Sequence, residues 1–81
     1  MTGEVLKRID TEVLNGLQTI SLRLKQEKDS GKKYVVLALT ASGNYQYTTL
    51  EMDEFQRFIQ ATEEIRLAAL TPQPLPASGR N

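Results

Sequence analysis

The apolar positions of the first segment recur at intervals of three and four, which is the period of an α-helix. They are Val5, Leu6, Ile9, Val13, Leu14 and Leu17. Asn15-Gly16 interrupts the pattern near its end, and glycine tolerates the left-handed conformation that terminates helices. The spacing predicts an amphipathic helix over 3–17. Val5, Ile9 and Val13 also share strand parity, so a strand is the alternative for this segment.

The middle of the chain changes to the alternating period of β-structure. Ile20, Leu22 and Leu24 alternate with polar residues, which is typical of a half-buried strand. The next apolar run is rich in β-branched residues, as expected of a central strand. Short polar connections make successive strands antiparallel neighbours. The predicted strands span 18–27, 33–40 and 45–50, and the connections span 27–32 and 41–44.

Helical spacing returns over 53–70, where the apolar residues from Phe55 onwards fall on one face. Acidic residues at its start suit the positive end of the helix dipole, and Pro72 ends the helix. The sequence therefore predicts one α+β domain over 1–70, in the order α-β-β-β-α, followed by a flexible proline-containing tail over 71–81. The antiparallel sheet has three strands, or four if the first segment pairs, and the helices cover one face.

The sheet face that the helices leave open combines tyrosines with basic residues. If Ile20, Leu22 and Leu24 point at the helices, Arg23 and Lys25 point to the open face. Rings that stack on bases, and cations that neutralise phosphates, are the ingredients of a single-strand nucleic-acid platform. Tyrosines on alternating positions are also common as cross-strand packing pairs or dimer contacts, and lysines as solubilising residues. The candidate nucleic-acid-binding residues are Arg23, Lys25, Lys28, Lys32, Lys33, Tyr45 and Tyr47.

Composition limits the chemistry that the chain can perform. Its 81 residues include no His and no Cys, which excludes an imidazole base, a thiol nucleophile, a disulfide and a Cys-based zinc site. A domain of this size also has little interior in which carboxylates could be tuned for catalysis. We therefore expect no catalytic residues, no cofactor and no metal site. Without a signal peptide or a long apolar run, a cytoplasmic or nuclear protein is expected, neither secreted nor membrane-bound.

The charges sum to zero but are unevenly distributed along the chain. Residues 1–33 carry seven bases and five acids, whereas 51–66 carry two bases and five acids. The basic residues are concentrated on the first hairpin. Any binding to nucleic acid is therefore expected to be modest, sensitive to salt and confined to one face.

The segment 20–65 resembles one repeat of the PUR family of single-stranded DNA- and RNA-binding proteins. It has a lysine-rich hairpin, a further strand and a helix in which Glu54-Phe55-Gln56-Arg57-Phe58 matches the family's E-F-x-x-F signature. A PUR repeat has four strands before its helix, whereas the pattern here gives three and an N-terminal helix. Since PUR repeats normally pair, the resemblance implies a homodimer. The element order is also similar to that of the Alu-domain proteins of the signal recognition particle, which bind RNA as a dimer.

Two hypotheses of function follow. The first is a homodimer that binds single-stranded DNA or RNA through the basic and aromatic sheet face. The second is a dimeric adaptor or structural subunit without a nucleic-acid role, which the neutral charge and the open sheet face favour. The position of Tyr45 and Tyr47 discriminates between them: exposed beside basic residues in the first, and buried under a helix or in a dimer interface in the second.

Overall fold

The computed structural model describes residues 3–72, which form four strands followed by a long helix. The strands pair in chain order into one antiparallel sheet. The α+β class, the three predicted strands and the C-terminal helix are confirmed. The tail is predicted over 71–81, and its residues after Pro72 lie outside the described part of the chain. The elements are β1 (Gly3–Val13), β2 (Gln18–Glu27), β3 (Lys33–Ala41), β4 (Asn44–Glu51) and α1 (Met52–Leu70).

The prediction of an N-terminal helix is wrong, because this segment is the edge strand β1. Its pairing with β2 shifts between Val5 and Lys7, so that Leu6 is the extra residue of a β-bulge. The bulge changes the parity of the strand, and Val5 and Ile9 consequently fall on opposite sheet faces. Their helix-like spacing therefore does not correspond to a single apolar stripe.

Asn15-Gly16 belongs to the β1–β2 hairpin and does not end a helix. The amide of Gly16 donates to the carbonyl oxygen of Val13 at 3.1 Å. Leu14 and Asn15 have φ of 53° and 56°, so both central residues of this turn are left-handed. Left-handed residues at both central positions are typical of hairpin turns, and this turn lies within the four-residue connection between Val13 and its partner Gln18. The fourth strand, which strand parity left open as the alternative, is therefore present.

The strand register divides the side chains between two faces of the sheet. The groove face carries Arg23 and Lys25, and the apolar face carries the residues that alternate with them. The main residues of the groove face are Ser21, Arg23, Lys25, Tyr34, Val36, Ala38, Tyr45, Tyr47 and Thr49. The main residues of the apolar face are Ile9, Ile20, Leu22, Leu24, Val35, Leu37, Leu39 and Leu50.

Helix α1 begins directly after β4. The carboxylate of Glu54 accepts a hydrogen bond from the amide of Glu51 at 2.9 Å, which satisfies an amide at the helix start. Asp53 and Glu54 lie in the first turn, as predicted, and Phe55 is half-buried. Within residues 3–72, α1 contacts β3 and β4 and neither of the other strands. No helix in this part of the chain is both long and apolar enough to cross a membrane.

The hydrophobic core within one chain is small. The buried apolar residues of the described part are Tyr34, Val35, Val36 and Ala38, all on β3. No residue of α1 is buried. The radius of gyration is 16.9 Å, whereas a compact domain of this length has about 12 Å. The chain is therefore elongated, and most of α1 extends beyond the part of the sheet that it contacts.

Candidate nucleic-acid interface

The groove face contains an open groove of about 520 Å³ across β2, β3 and β4. Cationic, aromatic and acidic side chains line it together, and α1 contributes no residue to this lining. The lining comes from the strands and from Lys32 in the β2–β3 turn. The lining includes three cations (Arg23, Lys25, Lys32), three tyrosines (Tyr34, Tyr45, Tyr47) and two carboxylates (Glu27, Glu51).

Two tyrosines on β4 project side by side at the edge of the groove. The side chains of Tyr45 and Tyr47 are 50% and 66% exposed. Their ring centroids lie 5.8 Å apart and the ring planes are inclined by 38°. Both tyrosines are exposed and line the groove, so both rings are accessible to a ligand there. Their position beside Arg23 is the arrangement that the nucleic-acid hypothesis requires.

Arg23 lies on β2 in the groove, and its side chain contacts Tyr45 on β4. Its Nη1 donates to the hydroxyl oxygen of Tyr45 at 3.4 Å, a long hydrogen bond. Its Nε is buried and has no hydrogen-bond partner among residues 3–72. A buried donor without an acceptor is costly, and an anionic ligand could offset that cost by accepting the hydrogen bond. Lys25 follows two residues later on the same face and lies opposite Tyr34.

The three lysines predicted around the first hairpin occupy different positions. Lys32 lines the groove, and its Nζ lies 3.5 Å from Oε2 of Glu51. Both side chains are more than half exposed, so this ion pair is weak and easily exchanged for a phosphate. Lys33 lies on the opposite face, because Tyr34 points into the groove and side chains alternate along a strand. Lys28 is exposed in the β2–β3 turn and does not line the groove.

Of the seven predicted site residues, five line the groove: Arg23, Lys25, Lys32, Tyr45 and Tyr47. The sequence interpretation did not include Tyr34 or the two carboxylates. Tyr34 lies near the start of β3, an almost wholly apolar strand in which alternation between faces is hard to recognise. The pairing of Tyr34 with Lys25 places Tyr34 on the groove face. Glu27 and Glu51 reduce the positive charge of the groove to a single net charge.

Next to the groove, Asp10 connects β1 to β2 through hydrogen bonds. Its Oδ1 accepts from Nε of Arg8 at 3.0 Å and from Oγ of Ser21 at 2.6 Å. These two hydrogen bonds, with that from Arg8 the stronger influence, lower the pKa of Asp10 below its usual value. Asp10 therefore stays ionised and neutralises Arg8, so β1 adds little positive charge to this face.

No cluster of three or more carboxylates within residues 3–72 is placed to hold a metal ion. Comparison with protein-family models, with curated protein sequences and with solved structures finds no match to this chain. Its function must therefore be argued from its own geometry.

Proposed function

We propose that this protein binds single-stranded DNA or RNA as a homodimer. Bases stack on Tyr45 and Tyr47, and phosphates contact Arg23, Lys25 and Lys32. The observation that carries the proposal is the pair of exposed tyrosines in an open groove that also contains three cations. The resemblance to a PUR repeat supports it further, because four strands followed by a helix is the order of that repeat.

The chemistry of the groove favours unpaired bases. An exposed tyrosine can stack only on a base whose face is accessible, and the faces of duplex bases are covered by their neighbours. A neutral chain with a single net positive charge in the groove also lacks the extended basic surface with which proteins hold both strands of a duplex. Stacking consequently contributes more here than electrostatic attraction, and the expected affinity is modest.

The apolar face favours a second candidate function. Several of its large side chains are exposed, including Ile9 at 53% and Leu39 at 37%. Such a surface is typical of a protein interface. A dimeric adaptor or structural subunit would use this face alone, and its tyrosines would have no ligand. The two candidates differ in whether substitutions on the groove face change a binding activity.

Fluorescence anisotropy with labelled mixed-sequence oligonucleotides at low salt tests the proposal. Tyr47→Ala removes a stacking ring, and stacking contributes about 1–3 kcal/mol per base, so affinity should fall at least about fivefold. Thr48→Ala is the matched control, because Thr48 lies on the same strand but on the opposite face. Lys25→Ala and Lys28→Ala form a second pair, because Lys28 is exposed in the β2–β3 turn and does not line the groove.

We expect Tyr47→Ala and Lys25→Ala to weaken binding and both controls to bind like the unmodified protein. A duplex of the same sequence should compete poorly. Since Tyr47 is largely exposed, its variant should keep the far-ultraviolet circular dichroism of the parent. If no oligonucleotide binds at high micromolar protein, or if the controls lose as much affinity as the groove variants, the proposal is rejected and the adaptor remains.

A further inference from the structure

The apolar face is too exposed to be the inner surface of a finished fold. In the centre of the sheet Leu22 and Leu37 are only half-buried, and towards one end Leu39 is 37% exposed. Val35 is 3% exposed on the same face, near the end of the sheet where α1 begins. One end of the face is therefore covered, and a broad apolar surface remains in contact with water.

Helix α1 presents a second uncovered apolar surface. Phe58, Ile59 and Ile65 share one side of the helix and are 38%, 43% and 71% exposed. At about 1.5 Å per residue, the 19 residues of α1 extend about 28 Å. Within residues 3–72, α1 contacts β3 and β4 of its own sheet and neither of the other strands, and none of its residues is buried, so most of its length has no partner in the same chain.

We propose that these two surfaces cover each other in a two-fold symmetric homodimer, in which α1 of each chain lies across the apolar face of the other. The inference rests on the homodimer of the proposed function and names its interface, but it does not depend on nucleic-acid binding. The occupant is a second copy because one chain carries both surfaces, and a two-fold axis satisfies both at once. If only one helix packed on the sheet of the other chain, the second helix and the second sheet face would remain exposed.

The dimensions of the two surfaces agree with a stable dimer. A helix about 28 Å long and about 10 Å wide covers roughly 280 Å² of sheet. Counting both partners and both reciprocal contacts, the full length of α1 gives an upper bound of roughly 1,100 Å², which is close to the value of about 1,000 Å² expected of a specific interface. The small core of the single chain is the complementary observation, because small domains often obtain the missing burial from a partner.

The charges of the two surfaces are also complementary. Helix α1 carries four acidic and two basic residues. The charged residues around the apolar face are Lys7 and Lys33, with Glu4 as the single acid among the paired strand residues. A helix with net negative charge therefore meets a sheet face with net positive charge, which favours the reciprocal arrangement over the pairing of two helices or of two sheets.

Two measurements on the complete chain test the inference. Size-exclusion chromatography with light scattering across the micromolar range should give a dimer mass. Nuclear Overhauser effects filtered for contacts between labelled and unlabelled chains should connect the methyl groups of Ile65 with those of Leu22 or Leu37. A monomer overturns the inference, as does a dimer whose intermolecular contacts do not include α1 and the apolar face.

A matched pair of substitutions adds an independent test. Ile65→Asp places a charge in the proposed interface, whereas Leu67→Asp places the same charge on the opposite side of the helix, since two residues rotate by about 200°. In Ile65→Asp each dimer loses two buried isoleucines, so the dissociation constant of the dimer should rise about 100-fold or more. The same rise in Leu67→Asp contradicts the proposed interface. Because the oligonucleotide titration is separate, a dimer with these contacts that binds no oligonucleotide rejects only the proposed function.

Discussion

The salt dependence of oligonucleotide binding is the sharpest quantitative consequence of the groove. Three cations line it, and each phosphate contact releases condensed counterions when a complex forms. For single strands the slope of log affinity against log salt is about −0.7 per contact, so three contacts give about −2. Raising the salt concentration from about 50 to about 200 mM should therefore weaken binding roughly 20-fold.

Substitution on either face determines which lysines contribute to this slope. Lys25→Ala removes one contact, so the slope should decrease to about −1.4 and the same salt step should weaken binding only about sevenfold. Lys33→Ala removes the same charge from the opposite face and should leave the slope unchanged. The assay is anisotropy with an oligonucleotide short enough to occupy one groove, titrated at four or more salt concentrations for each protein.

Two results would refute this reasoning. A slope near zero in the unmodified protein would mean that the cations do not contact phosphates, whatever the affinity. Equal slopes in Lys25→Ala and the unmodified protein, combined with a reduced slope in Lys33→Ala, would place the ligand on the apolar face. That outcome would contradict both the groove assignment and the use of the apolar face for a second copy.

Three further predictions concern stability. Val35→Ala, at a residue 3% exposed, should lower the free energy of unfolding by about 2 kcal/mol, measured by urea denaturation at fixed protein concentration. Leu14→Asn should raise it by about 0.5–1 kcal/mol, because Leu14 has φ of 53° and asparagine adopts this conformation more readily. Hydrogen bonds from Arg8 and Ser21 lower the pKa of Asp10 below its usual value of 3.8. The stabilisation of the folded state by the Asp10 carboxylate should therefore be complete above pH 3.8, and it should be lost as the pH falls through the lower pKa of the folded state. Asp10→Asn should therefore flatten the dependence of the urea midpoint on acidic pH, and an unchanged dependence would contradict this role.

The sequence predicts the three strands β2 to β4 and helix α1 because local patterns determine them. Ile20, Leu22 and Leu24 alternate with polar residues over a full strand, and the connections are too short for anything except antiparallel pairing. The same alternation places Arg23 and Lys25 together on the groove face. These residues were predictable as neighbours because strand parity needs no tertiary information.

The nature of β1 was not predictable from periodicity because its bulge breaks the alternation. Leu6 is the extra residue, and the apolar residues on either side of it serve different faces. The pair Asn15-Gly16 is common both in hairpin turns and after helices, so local chemistry alone left both interpretations open. Likewise, the position of Lys33 outside the groove depends on the parity of β3, which its nearly uniform apolar sequence does not reveal.

The two proposals together assign a role to each face of the same sheet. In the proposed dimer the apolar faces are covered by the exchanged helices, so the two groove faces remain on the outer surfaces of the pair. A short oligonucleotide then occupies one groove and keeps the salt slope of about −2, whereas a strand long enough to reach both grooves involves six cations and a slope of about −4. A slope that stays near −2 for every length, in a chain shown to be dimeric, would mean that the grooves act separately. The length dependence of the slope therefore reports whether dimerisation serves binding or only completes the hydrophobic core.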